Sequence, residues 1–281
     1  MDFKVDFYMR HIWIDNRLAF PIKYNISRIN FGEEFTKNIW LPDSSFNNGK
    51  DVSVQKIMTE ASTTHLHVYS TGELYHSTRI SLLAQCRMDL TFFPLDQQKC
   101  SIEICSYSFT DLDVIYHWAD GIAVEISPTI FLPTFELIGY STLKFNDVYV
   151  SGNYTRLQVD FYLSRSVGYY ISQIYVPAFM IVTISWVPFW LDRDDNHARV
   201  ALGVTTVLTM TTLITNTNLD FPKISHLKAI DIYLFISFIM VFLSLLEYAT
   251  VGYYETRQEI KRRKQELDSN TKSKQKFRTI K

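Results

Sequence analysis

Three cysteines, Cys86, Cys100 and Cys105, carry the most definite covalent chemistry in this chain. Three allow one disulfide and one leftover thiol. Cys86 and Cys100 bracket RMDLTFFPLDQQK, which reads as a strand, a tight Pro turn and a second strand. A bridge around a loop of that size stabilises by roughly 3 kcal/mol in the chain-entropy model. It implies an oxidising, secretory compartment. Two buried free thiols are the other reading of the same spacing.

A second constellation is made of hydroxyls. Residues 200–219, VALGVTTVLTMTTLITNTNL, carry no charge yet hold Thr205, Thr206, Thr209, Thr211, Thr212, Thr215 and Thr217. At helical spacing Ala201, Thr205, Leu208, Thr212 and Thr215 form one stripe. Threonine can turn its hydroxyl onto its own backbone, but so many in one apolar span point to a face that meets water. In a ring of such helices the stripe gives hydroxyl layers interrupted by Leu208. Hydroxyls hydrate an ion, and a leucine ring closes a pore by dewetting. Arg199 stands at the foot of the span, where a ring of arginines favours anions; an interfacial Arg that snorkels is the plainer reading. His197 precedes it. Imidazole titrates near neutral pH and binds zinc, which predicts a conductance sensitive to acid at that mouth; a solvated loop histidine is the plainer reading.

The elements that position these groups fall into two regions. Residues 1–167 read as strands: FKVDFYMRHIWI, THLHVYST and RLQVDFYLS alternate apolar with polar, and Asn47-Asn48-Gly49, Thr71-Gly72 and Ser151-Gly152-Asn153 punctuate them. Such short strands and turns suggest an antiparallel sandwich. After Arg165 the pattern changes. Residues 168–191 carry no charged side chain, enough to cross a hydrocarbon core of about 30 Å. Pro177 and Pro188 are tolerable inside a membrane helix. Residues 200–219 form a second uncharged stretch, and a third begins at 232–246 and ends near Glu247. The expectation is a mixed β and α fold, an extracellular β-sandwich (1–167) followed by a transmembrane helical bundle (168–254, helices at about 168–191, 199–219 and 229–254), then a basic cytoplasmic segment (255–281).

The last 25 residues hold ten Lys or Arg against three acids, which places them in the cytoplasm. The short link Asp192–Asn196 would lie on the same side, yet it is acidic. Three spans then put the N-terminal domain outside, in agreement with a disulfide. Two glycosylation sequons, at Asn25 and Asn153, fall in that domain. No signal peptide opens the chain, so an N-terminally incomplete chain is expected. The net charge of −1 gives no argument for nucleic acid. The sequence has no P-loop, HExxH, Gly-x-Ser-x-Gly or metal-ligand cluster, so neither an enzyme nor a cofactor is expected.

These motifs resemble a known family. Cys86 and Cys100, with Phe93-Pro94-Leu95-Asp96 between them, look like the signature loop of the Cys-loop receptors; Trp40-x-Pro42-Asp43 fits the same family. The run Ala198 to Thr212, ARVALGVTTVLTMTT, is similar to the pore helix of anion-selective members, GABA-A and glycine receptor subunits in particular. Pro222-Lys223-Ile224 and Lys228-Ala229-Ile230-Asp231 resemble their link into the third helix. Cation-selective members usually carry a glutamate where Ala198 stands. The resemblance implies a homo- or hetero-pentamer of β-sandwiches above four-helix membrane domains, in the plasma membrane at synapses. A neurotransmitter, an amino acid or a biogenic amine, would open a chloride pore. The start of the sandwich and the fourth helix are not matched, so the sequence is expected to be incomplete at both ends. A non-conducting or modulatory truncated subunit is the alternative.

The resemblance also implies a site between neighbouring subunits, an aromatic box that attracts an agonist ammonium. The matching positions are Tyr107, Tyr149 and Tyr154 on one face and Tyr8, Arg10 and Ser77 on the other, with Arg10 suited to an agonist carboxylate. Ser45 stands where related subunits have tyrosine, and Cys105 where they have the glutamate that pairs with the agonist amine. Coupling to the gate is assigned to Asp96, Arg165, Lys223 and Lys228, with Asp96 and Arg165 as a charge pair.

Overall fold

The structure, a computed structural model, describes residues 1–22, 26–56, 63–190, 196–219 and 227–279, with side chains for all of these but 196–197 and 268–279. The chain forms two units: Met1–Asp89 with Gln97–Arg165, and Leu90–Asp96 with everything from Ser166 onward.

The first unit is a sandwich of two antiparallel sheets. In one, β6 (Glu73–Gln85) lies between β1 (Asp2–Ile14) on one side and β5 (Thr64–Tyr69) followed by β4 (Gly49–Val54) on the other; β2 (Arg28–Phe31) flanks β5. The other runs β3 (Ser44–Phe46), β7 (Gln97–Ser106), β9 (Gly152–Arg165), β8 (Phe135–Tyr149). β1 alternates exposed and half-buried residues over its whole length, the period-two signature of a strand with one wet face. Its inward set Phe3, Val5, Phe7 and Met9 packs on Ile80, Leu82 and Ala84 of β6 and Ile102 of β7. A second cluster gathers Leu66, Val68 and Leu74 under Trp13, Phe31 and Phe35. Cys86 and Cys100 form a disulfide with Cα atoms 5.2 Å apart, which removes the reading of two free thiols; Cys105 is a free thiol.

The second unit holds three helices long and apolar enough to cross a membrane, Gly168–Trp190, Ala198–Leu219 and Ala229–Leu267. The first is not one regular ladder. An α-helical turn Gly168–Tyr170 gives way to a π-helical stretch Ile171–Tyr175, an α-helix Val176–Trp186 and a 3-10 turn Val187–Trp190. The return from π to α and the change from α to 3-10 each sit beside a proline, Pro177 or Pro188, whose missing N–H interrupts the i→i−4 ladder. Tyrosines of the third helix donate to carbonyls near these irregularities: Tyr233 Oη to Tyr175 O at 3.3 Å and Tyr248 Oη to Ser185 O at 2.6 Å. Gly203 of the second helix lets the third approach closely, since a Cβ there would sit 2.6 Å from Leu245 Cδ1.

The third helix continues to Thr279, past residue 254, where the apolar pattern places its end. Hydropathy marks where a helix leaves lipid, not where its hydrogen bonds stop, and residues 255–279 contain no Gly or Pro. The loop tip Leu90–Asp96 groups with the helices although it comes from the strand region of the sequence. Phe93, fully buried, meets the Tyr170 ring edge-to-face at 4.8 Å, and Ala229 N donates to Thr91 O at 3.0 Å.

Candidate functional site

On the outer face of the first sheet, strand alternation turns Tyr8 and Arg10 outward while Phe7 and Met9 enter the core. The β1–β6 register pairs Arg10 with Ser77 and Tyr8 with Arg79, so these four residues share a face. The Arg79 guanidinium lies 5.7 Å from the Tyr8 ring centroid, within cation–π range. Arg10 Nη1 is 3.7 Å from Glu125 Oε2. Ser77 is nearly covered, while Tyr8 is 58% exposed.

On the other sheet, Tyr149 and Tyr154 flank the β8–β9 hairpin with ring centroids 5.9 Å apart in an edge-on arrangement. The turn depends on Gly152, whose φ of +138° and closeness to Thr110 leave no comfortable room for a Cβ. Arg156 of β9 braces the hairpin: it meets Glu103 of β7 at 3.1 Å, pairs with Asp147 of β8, and donates to Tyr149 Oη at 3.3 Å. Burial would lower the Arg156 pKa, and the two carboxylates raise it instead. Tyr107, 82% exposed, follows β7. Asp43 holds the turn around it, accepting from Ser106 Oγ and Ser108 N, each at 2.6 Å. Burial alone would raise the Asp43 pKa; these hydrogen bonds bring it below the usual carboxylate range. Ser45 pairs with Cys105 across β3 and β7, its hydroxyl 3.1 Å from Cys105 O and 3.4 Å from Sγ. A neutral pair thus stands where a carboxylate is expected from the resemblance.

In the second helix (Asn196–Leu219), Ala201, Thr205, Leu208, Thr212 and Thr215 are all exposed, while Gly203, Thr206, Met210 and Thr217 are buried. At about 100° per residue these two sets lie on opposite sides of the helix. Arg199 is half-buried, and the same spacing puts it about 160° from the exposed stripe. All seven threonine hydroxyls donate to a carbonyl three or four residues earlier, at 2.7–2.9 Å. With its proton committed, a stripe hydroxyl offers lone pairs outward.

Among the coupling residues, Arg165 stacks its guanidinium 4.5 Å from the Phe135 ring centroid, Asp96 is buried, and the buried Lys228 has its Nζ 3.9 Å from Asp231 Oδ2. Asn153 is exposed at the start of β9. Asn25, Lys223 and the His197 side chain lie outside what the structure describes.

A family model for the neurotransmitter-gated ion-channel ligand binding domain matches residues 1–167, and one for the neurotransmitter-gated ion-channel transmembrane region matches residues 174–279. This chain belongs to the neurotransmitter-gated ion-channel family. Its relatives include the gamma-aminobutyric acid receptor subunit rho-2 of Homo sapiens, 44% identical over 271 residues, and of Bos taurus, 43% identical over 266; both alignments cover 94% of this chain and 57% of the relative. The human rho-3 subunit is 41% identical over 268 residues, 93% of this chain and 56% of the relative. The chain thus spans somewhat over half the length of these relatives. The family is one of ligand-gated channels, not enzymes, and the sandwich, disulfide loop and apolar helices are those of a Cys-loop receptor.

Sequence reasoning within this receptor missed several residues around the site. Arg79 was reachable, because alternation from Ser77 puts it on the same face. Glu125 was not, since the loop before β8 has no periodicity to place it. Arg156, Glu103 and Asp147 meet only through a three-strand register that single-strand patterns do not contain.

Proposed function

We propose that this chain is one subunit of a pentameric, neurotransmitter-gated chloride channel in the plasma membrane, open to homomeric or heteromeric assembly and suited to synapses. The second helix carries the reading: its exposed stripe of hydroxyls broken at Leu208 lies opposite the face that packs on its neighbours. Five such stripes would wall a wet pore with one apolar constriction. Arg199 would add positive field at the foot without being a member of the stripe. Because every stripe hydroxyl spends its proton on the backbone, an anion would pass with water between it and the threonines.

The agonist reading is an amino acid held between subunits, its ammonium toward Tyr107, Tyr149 and Tyr154 and its carboxylate toward Arg10. The relatives named as gamma-aminobutyric acid receptor subunits support such a ligand. Coupling is assigned to Asp96, Arg165, Lys223 and Lys228, and the Thr91–Ala229 hydrogen bond gives the loop tip a grip on the third helix. The test is voltage clamp of cells expressing the complete receptor, with an agonist panel and two chloride concentrations. The reversal potential should follow chloride; one that ignores it would sink the proposal.

One observation favours a second reading, a modulatory subunit. The Ser45–Cys105 pair offers no charge to a buried ammonium, whose desolvation would go uncompensated. Expression with related subunits, with and without Cys105→Glu, separates the two. A response to amino acids only in the Glu form favours the modulatory role.

A further inference from the structure

We propose that Glu125 is a built-in counter-ion for Arg10, occupying the guanidinium until an agonist carboxylate displaces it, and so sets the affinity for carboxylate agonists. The inference rests on Arg10 being the carboxylate anchor.

Glu125 Oε2 lies 3.7 Å from Arg10 Nη1, with both side chains more than half exposed. Among the described residues it is the carboxylate paired with that guanidinium. One bond ties its loop to the sheet, and the turn after it is closed locally. Just before it, Val124 O accepts from Tyr140 Oη of β8 at 2.9 Å. Just after it, the Ser127 hydroxyl meets Thr129 Oγ1 at 2.8 Å and accepts from Thr129 N at 3.3 Å. The Tyr140 bond and the Arg10 contact bring the acid to the outer face of β1, the face that also carries Tyr8, Ser77 and Arg79.

The pair's weakness is what makes it a competitor and not a lock. An exposed ion pair at this distance shifts an equilibrium by about two- to five-fold. A ligand carboxylate meeting the guanidinium bidentately makes shorter, stronger bonds and displaces Glu125. Arg79 keeps the face cationic after the exchange. A ligand without a carboxylate leaves Arg10 with Glu125 and is indifferent to the pair, so the pair weakens carboxylate ligands alone.

The test is calorimetric titration of the purified full-length pentamer with γ-aminobutyrate and with tyramine, an amine without a carboxylate. Glu125→Gln should tighten γ-aminobutyrate about two- to five-fold and leave tyramine unchanged. Glu125→Asp, which keeps the charge, should stay near the wild-type value, an outcome that a purely steric role for the loop does not give. Unchanged γ-aminobutyrate affinity in Glu125→Gln, with Arg10→Gln abolishing binding, overturns the counter-ion and leaves the anchor reading intact. Binding indifferent to Arg10→Gln overturns both, as does the absence of γ-aminobutyrate binding in wild type and Glu125→Gln alike.

Discussion

Arg156 of β9 and Glu103 of β7 meet at 3.1 Å, each side chain 20% exposed, directly below the hairpin that carries Tyr149 and Tyr154. The same guanidinium reaches Asp147 and the Tyr149 hydroxyl. One side chain thus fixes the spacing of three strands and the height of an aromatic ring. Charge-assisted hydrogen bonds of this kind contribute about 1.5–3 kcal/mol. Arg156→Met should destabilise the sandwich by about that much and lower agonist sensitivity at least about tenfold, since it leaves two carboxylates without their cation. Chemical denaturation and concentration–response curves check the two effects. Glu103→Gln should cost less, because Asp147 still pairs with the arginine; equal losses from both variants would contradict the bracing role.

Acid should weaken the sandwich through its buried histidines. His11 points inward from β1, its Nε2 2.8 Å from Ser44 Oγ, whose hydroxyl in turn donates to Tyr116 Oη at 3.0 Å; its ring stacks 6.1 Å from that of His76. Burial, and secondarily the neighbouring His76, lower its pKa from 6.5 to about 4. Burial lowers His76 as well. Between pH 6.5 and 4 the unfolded chain therefore binds a proton that the folded one refuses. Stability is complete above about pH 6.5 and falls as the pH drops toward 4, by at most about 3 kcal/mol for His11. His11→Gln should flatten the profile of denaturation midpoint against pH over that range. Parallel profiles for variant and wild type would remove His11 from the account.

Much of this was legible in the sequence, and the reason differs by region. The sandwich followed from period-two alternation, which is local: β1 reads the same in isolation as in the fold. The stripe of the second helix followed from 3.6-residue periodicity in the same way. Arg199 shows the limit, because proximity in sequence to a stripe is not membership of it; two residues turn the helix by about 200°. The groups that needed two or three strands in register, such as His11 with His76 or Arg156 with Glu103 and Asp147, left no trace in any single segment. Glu125 depends on a loop pinned by Tyr140, a tertiary bond with no local sequence sign.

Gly203 tests the packing of the second helix on the third. An added Cβ would approach Leu245 Cδ1 to 2.6 Å. That methyl ends a flexible side chain, so Gly203→Ala should be tolerated with a rotamer change. Gly203→Val is branched and cannot be cleared that way; overpacking of this kind costs about 1–3 kcal/mol. The expected readout is a lower thermal midpoint and reduced surface expression, both recovered in Gly203→Val/Leu245→Ala. No recovery in the double variant would mean that the glycine serves backbone flexibility and not close approach.

Leu208 is the remaining test, and it bears on the proposed gate. It is 62% exposed on the stripe face, one turn above Thr205 and one turn below Thr212. Each neighbouring layer presents a hydroxyl whose proton is already bonded to the backbone, so those layers would wet easily, and in the proposed pentamer five leucines between them would make the one apolar ring in this part of the stripe. Water leaves such a constriction at little cost, which would hold the proposed closed state without any steric plug. Leu208→Thr would add a hydroxyl able to donate to its own backbone like the seven threonines around it, leaving lone pairs toward the pore. Wetting the ring should shift the closed–open balance by about 1–3 kcal/mol, equivalent to an agonist sensitivity raised five- to 150-fold. A chloride-dependent holding current should appear without agonist. Wild-type sensitivity and a silent baseline in that variant would place the gate elsewhere, whereas Leu208→Ile, apolar and of equal volume, should keep the channel shut at rest.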